Sequence, residues 1–133
     1  MIPIPELKLT ATRHELRGLP WIFSNQVQHL SDTILTKDRT ALVRIPELNR
    51  VGIYTKTALI AVRLLPESFS QKLGTLSEVS EDSLIQVFST HMNALLDAKV
   101  RAFPFARNQS FRWSHGDADG LPGIVVDDYG PFI

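Results

Sequence analysis

A chain of 133 residues, 44% hydrophobic and 21% charged with a formal net charge of zero, is long enough to bury a core of its own. It has no cysteine, which excludes a disulfide framework, a thiolate zinc site and a cysteine nucleophile within these residues. No run approaches the roughly eighteen apolar residues of a membrane span, and the first residues, MIPIPELKLTATRHE, lack the basic flank and apolar core of a signal peptide; a soluble, cytoplasmic chain without a membrane partner is expected.

The zero net charge is unevenly spread. Residues 1–66 carry nine basic against five acidic side chains, a net +4, and residues 67–133 carry the reverse, a net −4. The first part is therefore the better suited to a polyanion. Up to Leu65 the sequence reads as short β-type runs, LKLT, WIFSNQV, TALVRI, RVGIYT and ALIAVRLL, separated by polar clusters, which predicts a small barrel or curled sheet. Between the first two runs, TATRHELRGLP sets Arg13, His14 and Arg17 around Leu16 and ends on Gly18 and Pro20, enough for one or two helical turns. In WIFS, Trp21 and Phe23 alternate with Ile22 and Ser24, and the aromatic pair is expected in the core.

Past Pro66 the chain becomes polar and serine-rich, and a domain boundary is expected there, giving parts 1–66 and 67–133. From Glu81 to Ala102, Leu84, Phe88, Met92, Leu95 and Leu96 recur at spacings of three and four, the stripe of an amphipathic helix. Ser80 can cap it, Glu81 and Asp82 suit its positive end, Lys99 and Arg101 its negative end, and Pro104 stops it. Two strand-like runs follow, SFRWSHG and GIVVDDYGPFI. Phe111 and Trp113 on the first are expected to pack on the helix stripe, although their company with Phe105, Arg107 and Arg112 also suits a single nucleic-acid strand. The last run closes on Pro131, Phe132 and Ile133, which reads as a strand cut off before its continuation. An open edge there would allow a homodimer.

The joining stretch HGDADGLPG admits two readings. As a calcium loop it fails at both ends, with His115 in the first ligand position and Val126 where a bidentate glutamate belongs; a transition-metal site on His115, Asp117 and Asp119 lacks a fourth ligand. As a turn it explains every residue from Asp117 to Gly123: Asp119-Gly120 and Pro122-Gly123 supply the backbone bends, and the aspartates bond local amides. No metal is expected.

Three segments, in order, resemble the bacterial 23S rRNA cytosine-5-methyltransferase family. ELRGLPWIFSNQV, residues 15–27, is similar to the family's LLxGHPWVFSGAI; GIYTKTALIAVRLL, residues 52–65, to GxYNPxSxIAVRLL; and SFRWSHGDADGLPGIVVDDYGPFI, residues 110–133, to YRLxxGExDGLPGLxVDRYGxxLV. The sequence departs from these patterns at Leu19 (His in the family), Thr55-Lys56 (Asn-Pro) and Asp128 (Arg). The resemblance implies an α+β chain, a small PUA-like β-barrel that holds RNA followed by a partial β-β-α-β-β linker domain. The family's third part, a methyltransferase domain using S-adenosylmethionine, has no counterpart here. What is expected is thus an RNA-binding, non-catalytic region of a 23S rRNA methyltransferase that itself binds no cofactor; the alternative is a free-standing RNA-binding or protein-interaction module. The candidate RNA contacts are Arg13, His14, Arg17 and Gly18 in the first insert, with Lys56 and Arg63 in the last barrel segment; phosphate contacts from such cations position RNA and weaken with salt.

Overall fold

A computed structural model describes residues 1–12, 15–16, 18–102 and 110–129. The chain forms two compact units, Met1–Ser83 and Leu84–Ile133.

The first unit is built on an antiparallel sheet of four strands, β2 (Trp21–Phe23), β3 (Thr40–Ile45), β4 (Arg50–Thr55) and β5 (Ile60–Leu64), in the order β2-β5-β4-β3. The β-branched and aromatic content of TALVRI and RVGIYT suits extended chain, and the Pro46–Leu48 turn between them closes on Asn49 in the left-handed region at φ 52°, a conformation asparagine tolerates. That turn sets the register Ile45↔Arg50 to Thr40↔Thr55. Because side chains alternate across a strand, Ile22, Val43, Ile45, Tyr54, Val62 and Leu64 meet on one face, where Leu7, Leu16 and Val27 complete a buried cluster. The Tyr54 hydroxyl, enclosed in that cluster, lies 2.7 Å from His29 Nδ1, and His29 Nε2 lies 2.9 Å from the Ser24 carbonyl. A carbonyl only accepts, so Nε2 carries the proton and Nδ1 accepts from Tyr54, which pins the 24–35 segment to the sheet.

The other face is covered over the first part of β4 by α1 (Glu67–Leu73), whose Phe69 and Leu73 are buried together with Val51 and Leu65. Ser70 Oγ accepts a hydrogen bond from the Val51 amide at 3.2 Å, so the helix is fastened as well as packed. A two-stranded pairing of β1 (Ile2–Pro3) with β6 (Glu78–Val79) ties the start of the chain to the segment after α1. Residues 67–83 therefore belong with the first unit, whereas the change in composition at residue 66 assigned them to the second part.

The expected barrel does not form among the described residues: β2 and β3 stand at the two edges of an open sheet. Residues 6–10 span the gap only through isolated bridges, Glu6 with Arg44 on β3 and Leu9 with Val27 beyond β2. Closure needs strands long enough to stagger around a ring. Here β2 is three residues long and turns at once into a tight helical turn, Ser24–Gln26.

The second unit contains most of α2 (Glu81–Ala102) and the antiparallel pair β7 (Phe111–His115) and β8 (Val125–Asp128). The helix starts as its sequence predicts, with Ser80 Oγ accepting from the Ser83 amide at 3.1 Å, and its acidic first turn and basic last turn complement its dipole. The stripe Leu84, Phe88, Met92, Leu95 and Leu96 is half-buried, and no α2 residue is fully buried. Trp113 on β7 donates its indole N–H to the Met92 carbonyl at 3.1 Å, in keeping with the expected packing of that strand on the stripe. Leu121 is fully buried. No helix of the described residues is long and apolar enough to cross a membrane.

Candidate nucleic-acid interface

Of the six candidate RNA contacts, Arg13, His14 and Arg17 lie outside the described residues, and the other three fall at different places on the first unit. Gly18 has φ +77°, in the left-handed region, and a Cβ added there would meet nothing within 4 Å. The backbone is thus open to approach, as a glycine turn beside a ligand requires. Three residues on, β2 begins with Trp21, which pairs directly with Arg63 on β5, and Arg63 in turn pairs with Ile53 on β4. Leu42 on β3 faces Ile53, so Trp21, Arg63, Ile53 and Leu42 form one row across all four strands.

This row lies on the face that α1 covers elsewhere. Val51 and Leu65 are fully buried there, but Arg63, Ile53 and Leu42 are only half-buried and Trp21 is 36% exposed. The expectation that Trp21 and Phe23 supply the core is corrected: Ile22, at 0% exposure, points inward with Val62, and Phe23 is half-buried. A strand's core face is decided by its pairing register, and one residue of shift exchanges the two faces. The sequence does hold a signal for it, since a tryptophan in register with an arginine on the next strand shares that arginine's face. It becomes readable only once the pairing is known.

Lys56 lies in the β4–β5 turn, at the far end of β5 from Arg63, and is engaged internally. Its ammonium donates to the Leu30 carbonyl at 2.9 Å and to Asp32 Oδ1 at 3.1 Å, while Arg39 stands 3.7 Å from the same carboxylate. The Lys56 hydrogen bond and charge, with a smaller contribution from Arg39, hold Asp32 below the usual carboxylate range. Lys56 acts there as a clasp between loop and sheet, its ammonium held by the Leu30 carbonyl and the Asp32 carboxylate. The structure therefore gathers Gly18, Trp21 and Arg63 along the β2 edge and sets Lys56 apart.

In the second unit the stretch HGDADGLPG forms a turn. Residues Gly116–Asp119 make one tight helical turn, Gly116, Gly120 and Gly123 all have positive φ, and Asp119 Oδ2 accepts from the His115 amide at 2.8 Å. The same oxygen accepts from Lys99 Nζ at 2.8 Å, and His91 Nε2 lies 2.9 Å from the Asp119 carbonyl. Among the described residues no group of three or more His, Asp or Glu side chains is placed to hold a metal ion. Arg112, the strand cation considered for RNA, makes a two-pronged bond to Asp127 at 2.7 and 3.2 Å. That bond, and then its charge, hold the Asp127 carboxyl below its ordinary range. Every sheet pairing between the named strands is antiparallel.

In comparisons with protein-family models and with curated proteins, the chain matches none.

Proposed function

We propose that this chain is the RNA-holding amino-terminal region of a cytoplasmic, S-adenosylmethionine-dependent methyltransferase acting on C5 of a cytosine in 23S rRNA, with its first unit PUA-like. The cofactor and the nucleophile belong to a further domain; the residues present supply grip. The observation that carries the reading is the β2 edge, where an open glycine turn, a part-exposed tryptophan and an arginine adjoin in a segment, residues 1–66, of net charge +4. Backbone amides and cations of this kind position phosphates, and aromatic faces take bases. The resemblance of three separated segments to the methyltransferase family supports the same reading.

Fluorescence anisotropy with labelled fragments of large-subunit rRNA tests it. Affinity should fall linearly with salt on logarithmic axes, with a slope of about −2 to −3 if three or four phosphates are engaged. No binding at low ionic strength would remove the proposal.

A second reading, a protein-interaction module that dimerises, is favoured by β8, where Val125 is 56% and the following Tyr129 59% exposed. Two-stranded ribbons readily accept a further strand. Sedimentation velocity would then show a concentration-dependent dimer without RNA.

A further inference from the structure

Resting on the RNA-binding reading, the geometry points to a more particular substrate: we propose that Trp21 is a stacking platform for an unpaired nucleobase, so that the RNA is single-stranded where it crosses the β2 edge. An indole is among the side chains that gain most from burial, and leaving Trp21 36% exposed forgoes part of that gain. The residue beside it on the strand, Ile22, is wholly enclosed, so the fold has chosen which of the two to expose. Trp21 sits on an edge strand, where its outward side is not flanked by another strand of the sheet.

Its direct cross-strand partner is Arg63, and residues so paired hold their Cβ atoms about 5 Å apart. A base lying on the indole therefore has a guanidinium within reach of its phosphate or of its own face. Three residues before Trp21, Gly18 presents an open backbone to the neighbouring nucleotide. Duplex RNA does not suit this edge, because its base faces are closed by stacking and its recognition rests on backbone and 2′-hydroxyl contacts. An apolar protein partner suits it less well, because the row beyond the indole begins with a cation in a basic segment.

The test uses the whole chain. It contains two tryptophans, so Trp113→Phe leaves Trp21 as the sole indole reporter. A short unstructured oligoribonucleotide should quench its emission and bind more tightly than a hairpin of the same composition. Trp21→Ala should weaken the single strand about tenfold while leaving the circular-dichroism spectrum and melting curve in place, and Trp21→Phe, which keeps a ring, should recover much of the loss. If RNA binds with the expected salt dependence but the emission is unchanged and Trp21→Ala binds as well as the parent, the stacking role is overturned and RNA binding stands. Equal or tighter binding of the hairpin also overturns it. Absence of any RNA binding overturns the functional reading itself, and burial of Trp21 by self-association without RNA would reassign the edge to a protein contact.

Discussion

Gly52→Ala is expected to destabilise the first unit by about 2–3 kcal/mol, lowering its melting temperature by on the order of 10 °C. Gly52 lies in the inner strand β4, paired with Val43 on one side and Leu64 on the other. A Cβ there would stand 2.7 Å from Val62 Cγ1 and 2.9 Å from the Arg63 carbonyl oxygen. The valine methyl can shift, but the oxygen belongs to the backbone of β5 and moves only with the strand. Alanine gains about 0.5–1 kcal/mol over glycine in extended chain, too little to offset that displacement. Gly18→Ala is the control: its Cβ meets nothing, and only the positive φ is penalised, at about 1–2 kcal/mol. Thermal unfolding of both variants checks the account; a smaller loss at Gly52 than at Gly18 would mean that the β4–β5 pairing is looser than described. A displaced β5 also carries Arg63 with it, so Gly52→Ala should weaken RNA binding although residue 52 faces away from the proposed contact.

In the second unit, Asp119→Asn should cost about 2 kcal/mol. Lys99 and Asp119 are 18% and 19% exposed, their atoms are 2.8 Å apart, and the carboxylate also accepts the His115 amide. Asparagine can keep the amide bond but turns Lys99 into a cation without its counter-charge, and breaking a fully buried pair costs about 3–5 kcal/mol, reduced here by partial solvation. Burial alone would raise the Asp119 carboxyl; the Lys99 and His115 hydrogen bonds and charges outweigh it and hold the group below its ordinary range. A carboxyl depressed on folding contributes stability that is full above its unfolded value and is lost as the pH falls through the folded one. The parent should therefore exceed the variant near neutrality, and the gap should close in acid, from about pH 5 downward. Trp113 emission during urea unfolding reports this unit, since its indole is bonded to Met92 on α2. A gap that stays constant with pH would show that the pair contributes through shape rather than charge.

What could be read in advance follows from which signals are local. The limits of β3 and β4 came out as TALVRI and RVGIYT because turn residues bound both runs, and α2 because its stripe, serine cap and terminal charges all agree. HGDADGLPG was legible as a turn since Asp-Gly and Pro-Gly carry their backbone preferences with them. The inward face of β2 was not, because Trp21-Ile22-Phe23 is apolar throughout and only pairing with Val62 and Arg63 distinguishes its sides. Barrel closure failed for a related reason: strand content is local, whereas closure depends on strand length and stagger between distant segments. The engagement of Lys56 with Leu30 and Asp32, more than twenty residues away, was equally out of reach. The left-handed Arg39, at φ 55°, has no glycine or asparagine to announce it. Of the candidate RNA contacts, Gly18 and Arg63 thus lie near Trp21, which was expected in the core, Lys56 lies apart from them, and Arg13, His14 and Arg17 lie outside the described residues.

The central claim is that the β2 edge of the first unit holds single-stranded RNA. It is tested most directly by amide and indole chemical-shift mapping of the isotope-labelled chain during titration with an unstructured oligoribonucleotide. The account predicts shifts concentrated at Gly18, at the Trp21 amide and indole N–H and at Arg63, with Lys56 and the Lys99–Asp119 turn little changed. Shifts confined to β7 and β8, or none at RNA concentrations that saturate binding by anisotropy, would contradict it.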